Sequence, residues 1–337
     1  MTSPVLVEVI RGSLLESEHR GRVAVIDADG NAVLRLGDVA RPVFPRSAVK
    51  PLQALPLVET GAADRFGFGA DELAVASASH AGEPAHVALV EHMLARAGLD
   101  AAALVCGAHP PIHAPSAQAL ARSGREPSAL HNNCSGKHAG FLCVACAMEA
   151  NPAGYADPAH PVQRAVKAAI EGIAGVALED RSRAMDGCSV PTWALPLEKL
   201  AHGFARFGTG RGLDPHRAEA AARIRAACAA NPYLIAGTGR FCTRVMAHFG
   251  GRVLVKGGAE GVLCGALPEA GLGIAVKCDD GAARAAEVVM ATLISRLLAL
   301  DDADRGALAP LVRPGLRNWN GVEVGVLRPS DLLAQRT

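Results

Sequence analysis

Apolar and polar positions divide the chain into three stretches. Near the start, Val5 to Ile10, Arg22 to Ile26 and Ala32 to Leu36 read as short strands. The turn Asp27-Ala28-Asp29-Gly30-Asn31 joins the last two. The middle is helical, with Ala and Leu recurring every three or four residues. Its helices are predicted at Ser47 to Glu59, Asp71 to Ala78, Pro84 to Ala97, Gly136 to Glu149, Pro161 to Ile173, Leu195 to Phe207 and Pro215 to Ala230. After Arg240 short apolar runs return. Arg252 to Lys256, Gly261 to Leu267 and Leu272 to Lys277 read as strands, followed by a helix over Ala282 to Leu300 and a strand over Gly321 to Leu327. Strands at both ends with helices between them predict an α/β (α+β) protein, one sheet assembled from the two termini and carrying an inserted helical lobe. The sheet lobe is expected over 1–80 with 240–337 and the helical lobe over 81–239, all within one domain, 1–337. No internal repeat is present, and Ala150 to His160 reads as a loop.

Composition narrows the function classes. Half of the 337 residues are apolar, enough for a sizeable core. The net charge is +1, so no broad basic face for nucleic acid is expected. No apolar run reaches the roughly 20 residues needed to cross a bilayer. The longest candidate, Ala285 to Leu300, contains Glu287 and Arg296 and reads as a buried helix. Residues Met1 to Glu8 lack a basic segment leading into a long apolar run, so a cytoplasmic location is expected. Nine cysteines without regular spacing fit thiols or metal ligands better than a disulfide framework.

The chemistry centres on Arg46-Ser47-Ala48-Val49-Lys50, read as the first turn of a helix. Residues three apart share a helix face, which puts the Ser47 hydroxyl within reach of the Lys50 amine. A serine becomes a useful nucleophile when a neighbour takes its proton, and a lysine does so when burial or another cation lowers its pKa. Lys50 sits at the edge of an apolar segment, where a lysine needs a reason. A second lysine, Lys256, ends the apolar run Val253-Leu254-Val255 and is followed by two glycines that permit close approach. With Ala76-Ser77-Ala78-Ser79-His80 between them, these segments follow the order of S-x-x-K, a second serine motif and K-T-G in serine acyl-transfer enzymes related to class A β-lactamases. The middle motif is not S-D-N and the last lacks its hydroxyl residue, which speaks against a β-lactam substrate. Two further clusters are Asn132-Asn133-Cys134-Ser135-Gly136-Lys137-His138 and Met185-Asp186-Gly187-Cys188.

Taken together, Arg46-Ser47-Ala48-Val49-Lys50-Pro51, Ala78-Ser79-His80, Cys106-Gly107-Ala108-His109-Pro110, Asn133-Cys134-Ser135-Gly136-Lys137-His138, Asp186-Gly187-Cys188 and Lys256-Gly257-Gly258-Ala259 resemble the asparaginase II family, the rhizobial-type L-asparaginases. The resemblance implies a serine β-lactamase-like and penicillin-binding-protein-like fold with an antiparallel sheet. It implies hydrolysis of L-asparagine to L-aspartate and ammonia, with the catalytic pairs Ser47 with Lys50 and Ser79 with Lys256. It also implies one zinc ion per chain, held by Cys134, Lys137 and Cys188. Lysine binds metal only when deprotonated, so His138 stands as the alternative third ligand. The expected partners are the small-molecule substrate and a second copy of the chain in a homodimer, with neither nucleic acid nor membrane.

Chemistry assigns provisional roles around that core. Ser47 attacks with Lys50 as base, and Ser79 with Lys256 passes a proton to the leaving group. Backbone N–H groups of Ser47 and Ala259 form the oxyanion hole by analogy with the β-lactamase layout. Arg46 and Asp186 suit the substrate's carboxylate and ammonium by residue type, and Asn133 is taken as a further substrate-binding residue. A related glutaminase or penicillin-recognising acylase, or a non-enzymatic zinc-binding regulator, is the alternative. Cys143-x-x-Cys146 reads as core thiols, Gly208 to Gly212 as a loop, and His109 with His113 as a structural turn. Gly237-Thr238-Gly239-Arg240 is expected to line the site without an assigned role.

Overall fold

The computed structural model describes residues 3–334. The rest of the 1–337 span, including Met1 and Thr2 of the N-terminal reading, lies outside the described residues. Eight strands form the main sheet: β1 (Val5–Arg11), β2 (Leu14–Asp27), β3 (Ala32–Leu36), β4 (Leu254–Gly257), β5 (Val262–Leu267), β6 (Leu272–Cys278), β7 (Gly315–Arg317) and β8 (Glu323–Pro329). They run in the order β7-β8-β1-β2-β6-β5-β4, with β3 also paired to β2, and every pairing is antiparallel. The expected sheet built from both chain ends is therefore present. Strand β2 reaches well beyond the predicted Arg22 to Ile26. Its first half pairs with β1, and its second half lies between β3 and β6.

Helices cover both faces of this sheet. Ile274 on β6 lies opposite Gly265 on β5, so the two share a face. A Cβ at Gly265 would meet Met290 of the Ala283–Leu297 helix at 3.2 Å. Gly273, the next residue along β6, points the other way, and a Cβ there would meet Ala201 O of the Leu197–Thr209 helix at 2.0 Å. The inserted segment thus supplies one layer against the sheet as well as the separate helical lobe.

Proline explains where the elements depart from the periodicity. The helix expected over Ser47 to Glu59 is a 3₁₀ turn (Arg46–Val49) followed by two short α turns, Lys50–Gln53 and Leu55–Glu59. Pro51 and Pro56 lack the N–H that would join these turns into one ladder. Likewise Leu195–Pro196 pairs with Pro42–Val43 as a two-residue ribbon, and the helix begins only at Leu197. Helices at Ala114–Arg122, Phe241–Phe249 and Asp302–Val312 go unread in the periodicity. Ala150 to His160 contains no helix or strand, as expected of a loop. Among the described residues no helix is long and apolar enough to cross a membrane.

Candidate active site

The site forms where the end of β4, the Arg46–Lys50 turn and the Ser77-Ala78-Ser79 segment meet. Gly258 permits the first of these contacts, since a Cβ there would stand 2.7 Å from Pro45 O. Gly136 permits the neighbouring one, because a Cβ would stand 2.3 Å from Val75 O on the helix leading to Ser79. Ser79 is held by its own N–H, which donates to Ile235 O at 2.9 Å. Behind it lies His80, fully buried, whose Nδ1 accepts from Gly82 N–H. That leaves Nε2 to carry the proton and donate to Ser135 Oγ at 2.9 Å.

Two buried lysines converge on the Ser79 hydroxyl. Lys256 Nζ donates to Ser79 Oγ at 2.8 Å and to Gly257 O at 2.8 Å. Lys50 Nζ reaches Ser79 Oγ at 3.0 Å, Ala78 O at 2.6 Å, Asn133 O at 3.3 Å and Cys134 Sγ at 3.1 Å. Burial, helped by the charge of Lys50, brings the Lys256 pKa down to about 7. Burial also lowers that of Lys50, against the opposing pull of Cys134. An amine that is neutral near pH 7 can take a proton from a hydroxyl that the other amine still supports.

The one-turn spacing of Ser47 and Lys50 does not appear as a hydrogen bond. The Lys50 amine already faces four acceptors, more than its three N–H groups can serve, so none is directed to Ser47. Ser47 instead lines a cavity of about 210 Å³ together with Ser79, Asn133, Lys256 and Ala259. Neither Ser47 N–H nor Ala259 N–H is donated to a backbone acceptor among the described residues. Arg46, just before Ser47, has φ of 51°, in the left-handed region where non-glycine residues carry strain.

Arg46 and Asp186, expected at the substrate's two charged ends, bind each other instead. Arg46 Nε donates to Asp186 Oδ1 at 2.6 Å, and neither residue lines the cavity. Burial opposes the Asp186 charge, yet Lys137 and the Arg46 hydrogen bond outweigh it and hold the carboxyl below its usual range. This pair ties the turn before Ser47 to the Asp186-Gly187-Cys188 turn. Asn133 lies in the cavity wall, and its N–H donates to His109 Nε2 at 3.0 Å, which gives the His109 turn a positioning role.

Cys134, Lys137 and Cys188 also come together. Lys137 Nζ donates to Cys188 Sγ at 3.0 Å, as Lys50 Nζ does to Cys134 Sγ. The neighbouring Cys188, with Lys50 and Lys137, holds the Cys134 thiol well below its usual pKa, while the Cys188 thiol is pushed up. Burial disfavours the Lys137 ammonium, but Cys188 and Cys134 outweigh it and its pKa is raised. Two sulfurs and an amine suit zinc by donor type, provided that Lys137 gives up its proton. Among the described residues, no group of three or more His, Cys, Asp or Glu side chains is arranged to hold a metal ion. The alternative ligand His138 meets Tyr155 Oη through Nδ1 at 2.6 Å, while its Nε2 is buried without a hydrogen-bond partner.

Of the stretch Gly237-Thr238-Gly239-Arg240, expected to line the site, Arg240 alone lines the cavity. Beside it the wall holds Phe241, Cys242 and Glu287, which the motifs pass over. Glu287 signals itself as a carboxylate interrupting an apolar helix.

A mixed α/β frame around a small polar cavity, with serines and buried lysines in its wall, is an arrangement suited to acyl transfer. The L-asparaginase II family profile matches residues 7–329, nearly the whole chain, and the protein belongs to that family. It is thereby an amidohydrolase with a small-molecule substrate. Among solved structures, a β-lactamase from Mycobacterium bovis is 18% identical over 82% of this chain and 95% of its own, with a TM-score of 0.38. A protein named Mglu is 17% identical, with a TM-score of 0.35. That match covers 87% of this chain, which spans 65% of Mglu's length. Both likenesses are too distant to say anything of the site. No curated protein matches the sequence.

Proposed function

We propose that this amidohydrolase acts on L-asparagine, releasing L-aspartate and ammonia. The observation that carries the reading is the Ser79 hydroxyl between the amines of Lys256 and Lys50, at the wall of a cavity that Ser47 also lines. The cavity, about 210 Å³, falls below the ~300 Å³ at which pockets for drug-sized ligands begin and suits a small polar molecule.

In this reading Ser47 Oγ attacks the side-chain amide carbon as its proton passes to the neutral amine of Lys50. The carbonyl oxygen becomes an oxyanion held by the Ser47 and Ala259 N–H groups. Collapse breaks the C–N bond, and Ser79 relays a proton from Lys256 to the departing nitrogen, which leaves as ammonia. Water then attacks the acyl-Ser47 ester, giving up a proton to the same amines and restoring the serine as L-aspartate leaves. A zinc held by Cys134, Lys137 and Cys188 would add Lewis-acid charge beside Lys50. A variant of this scheme exchanges the two serines, with Ser79, which already touches both amines, as the nucleophile.

Ammonia release from L-asparagine and L-glutamine, measured beside nitrocefin cleavage, tests the assignment. Turnover of L-asparagine with nitrocefin left intact is expected. Faster turnover of L-glutamine, or cleavage of nitrocefin, would overturn the substrate assignment.

A further inference from the structure

An amino-acid amide carries two charges besides its reacting group, and the motif residues offered for them, Arg46 and Asp186, are occupied with each other. Three charged side chains line the cavity: Lys256, Arg240 and Glu287. Lys256 is engaged with Ser79, which leaves Arg240 and Glu287. Glu287 projects from the Ala283–Leu297 helix, whose neighbouring positions Ala285, Ala286, Val288 and Val289 are buried in the core. Its carboxylate is part-buried, yet it makes no hydrogen bond or ion pair among the described residues. Arg240 is exposed at the cavity wall, and its guanidinium likewise has no carboxylate within ion-pair distance. Two arginines, Arg240 and Arg244, act on this carboxylate from a distance, and burial outweighs them, so its oxygens are left for a donor that enters the cavity.

We infer that Glu287 receives the α-ammonium of the substrate and Arg240 its α-carboxylate, making the cavity selective for amides of free α-amino acids. This rests on the amidohydrolase reading of the same cavity and names the groups that would recognise its substrate. Arg240 and Arg244 both favour the charge on Glu287 without pairing with it. A zwitterion set between Arg240 and Glu287 neutralises both, whereas direct pairing would close that space. Burial raises the Glu287 pKa, as expected of a carboxylate awaiting a cation.

The test compares L-asparagine with succinamic acid, which has the same amide and terminal carboxylate but no α-amino group. Wild-type protein is expected to favour L-asparagine by roughly ten- to a hundredfold in kcat/KM, the range of a charge-assisted hydrogen bond. In Glu287→Gln the ratio of the two kcat/KM values should fall toward one, through a raised KM for L-asparagine, and Glu287→Asp should restore part of it. Loss of structure would depress both substrates together and leave the ratio unchanged, so the ratio reads recognition. A wild-type ratio in Glu287→Gln, with L-asparagine still hydrolysed, would overturn the assignment of Glu287 alone. Hydrolysis of neither substrate by wild-type protein would overturn the amidohydrolase reading, and this inference with it.

Discussion

Lys256 Nζ lies 2.8 Å from Ser79 Oγ across 177 residues of sequence. One partner comes from the end of a sheet strand and the other from the segment after the Ala70–Ala76 helix. The contact closes the sheet and the helical segment around a single hydroxyl. Its value for chemistry depends on Lys256 being able to exist as a neutral amine.

With the Lys256 pKa brought down to about 7, its protonation state changes within the working range. As pH rises through that value the amine loses the proton that it must pass, through Ser79, to the departing nitrogen. The rate is therefore expected to fall on the alkaline side with a midpoint near pH 7, measured as kcat/KM against pH. Arginine keeps the charge but does not shuttle protons, so Lys256→Arg should remain inactive across the profile. Near wild-type turnover in that variant would reduce the residue to a fixed charge.

Ser47→Ala and Ser79→Ala should each lower kcat by at least about a hundredfold, the lower end of what acid–base and nucleophilic groups contribute. Because the residues act as a unit, the double variant should lose little more than either single one. Acid quench during turnover followed by peptide mass analysis should find the aspartyl group on Ser47. An aspartyl group on Ser79 would exchange the roles of the two serines.

Gly258 supports the site through its lack of a side chain. Gly258→Ala puts a methyl group 2.7 Å from Pro45 O, forcing apart β4 and the turn that carries Ser47. Thermal or denaturant unfolding should show a loss of about 1–3 kcal/mol, typical of overpacking. The kcat should fall as well, since the displaced turn carries the nucleophile. Unchanged stability and rate would show that the two segments yield without consequence.

Much of this site is legible in the residues before any geometry. Lys50 in an apolar segment and Lys256 after Val253-Leu254-Val255 both announce buried amines, and both are buried. The ordered motifs point to a family membership that the profile match bears out. Pairing between charges is harder to read. Arg46 and Asp186 are a cation and an anion of the right kinds, but residue type does not reveal that they lie 2.6 Å apart. The direction of a side chain is hidden for the same reason. Glu287 reads as an interruption in an apolar helix, while its place in the cavity depends on how that helix is rotated against the sheet. The proline breaks at Pro51 and Pro56 were legible as chemistry and overridden by the Ala and Leu spacing around them.

The thiol cluster predicts a metal content. Protein prepared without chelator should carry about one zinc per chain by elemental analysis, and Cys134→Ala or Cys188→Ala should lose it. Zinc retained in Cys188→Ala would remove Cys188 from the ligand set. Wild-type protein free of zinc would leave Lys50 and Lys137 as the groups that meet the sulfurs of Cys134 and Cys188.

Ammonia release from L-asparagine by wild-type protein and by Lys256→Met, assayed side by side at neutral pH, bears most directly on the two-lysine site. The wild-type chain should turn over L-asparagine, and Lys256→Met, folded by circular dichroism, should lose at least about a hundredfold in kcat. No ammonia from the wild-type chain, or equal rates from the two proteins, would contradict it.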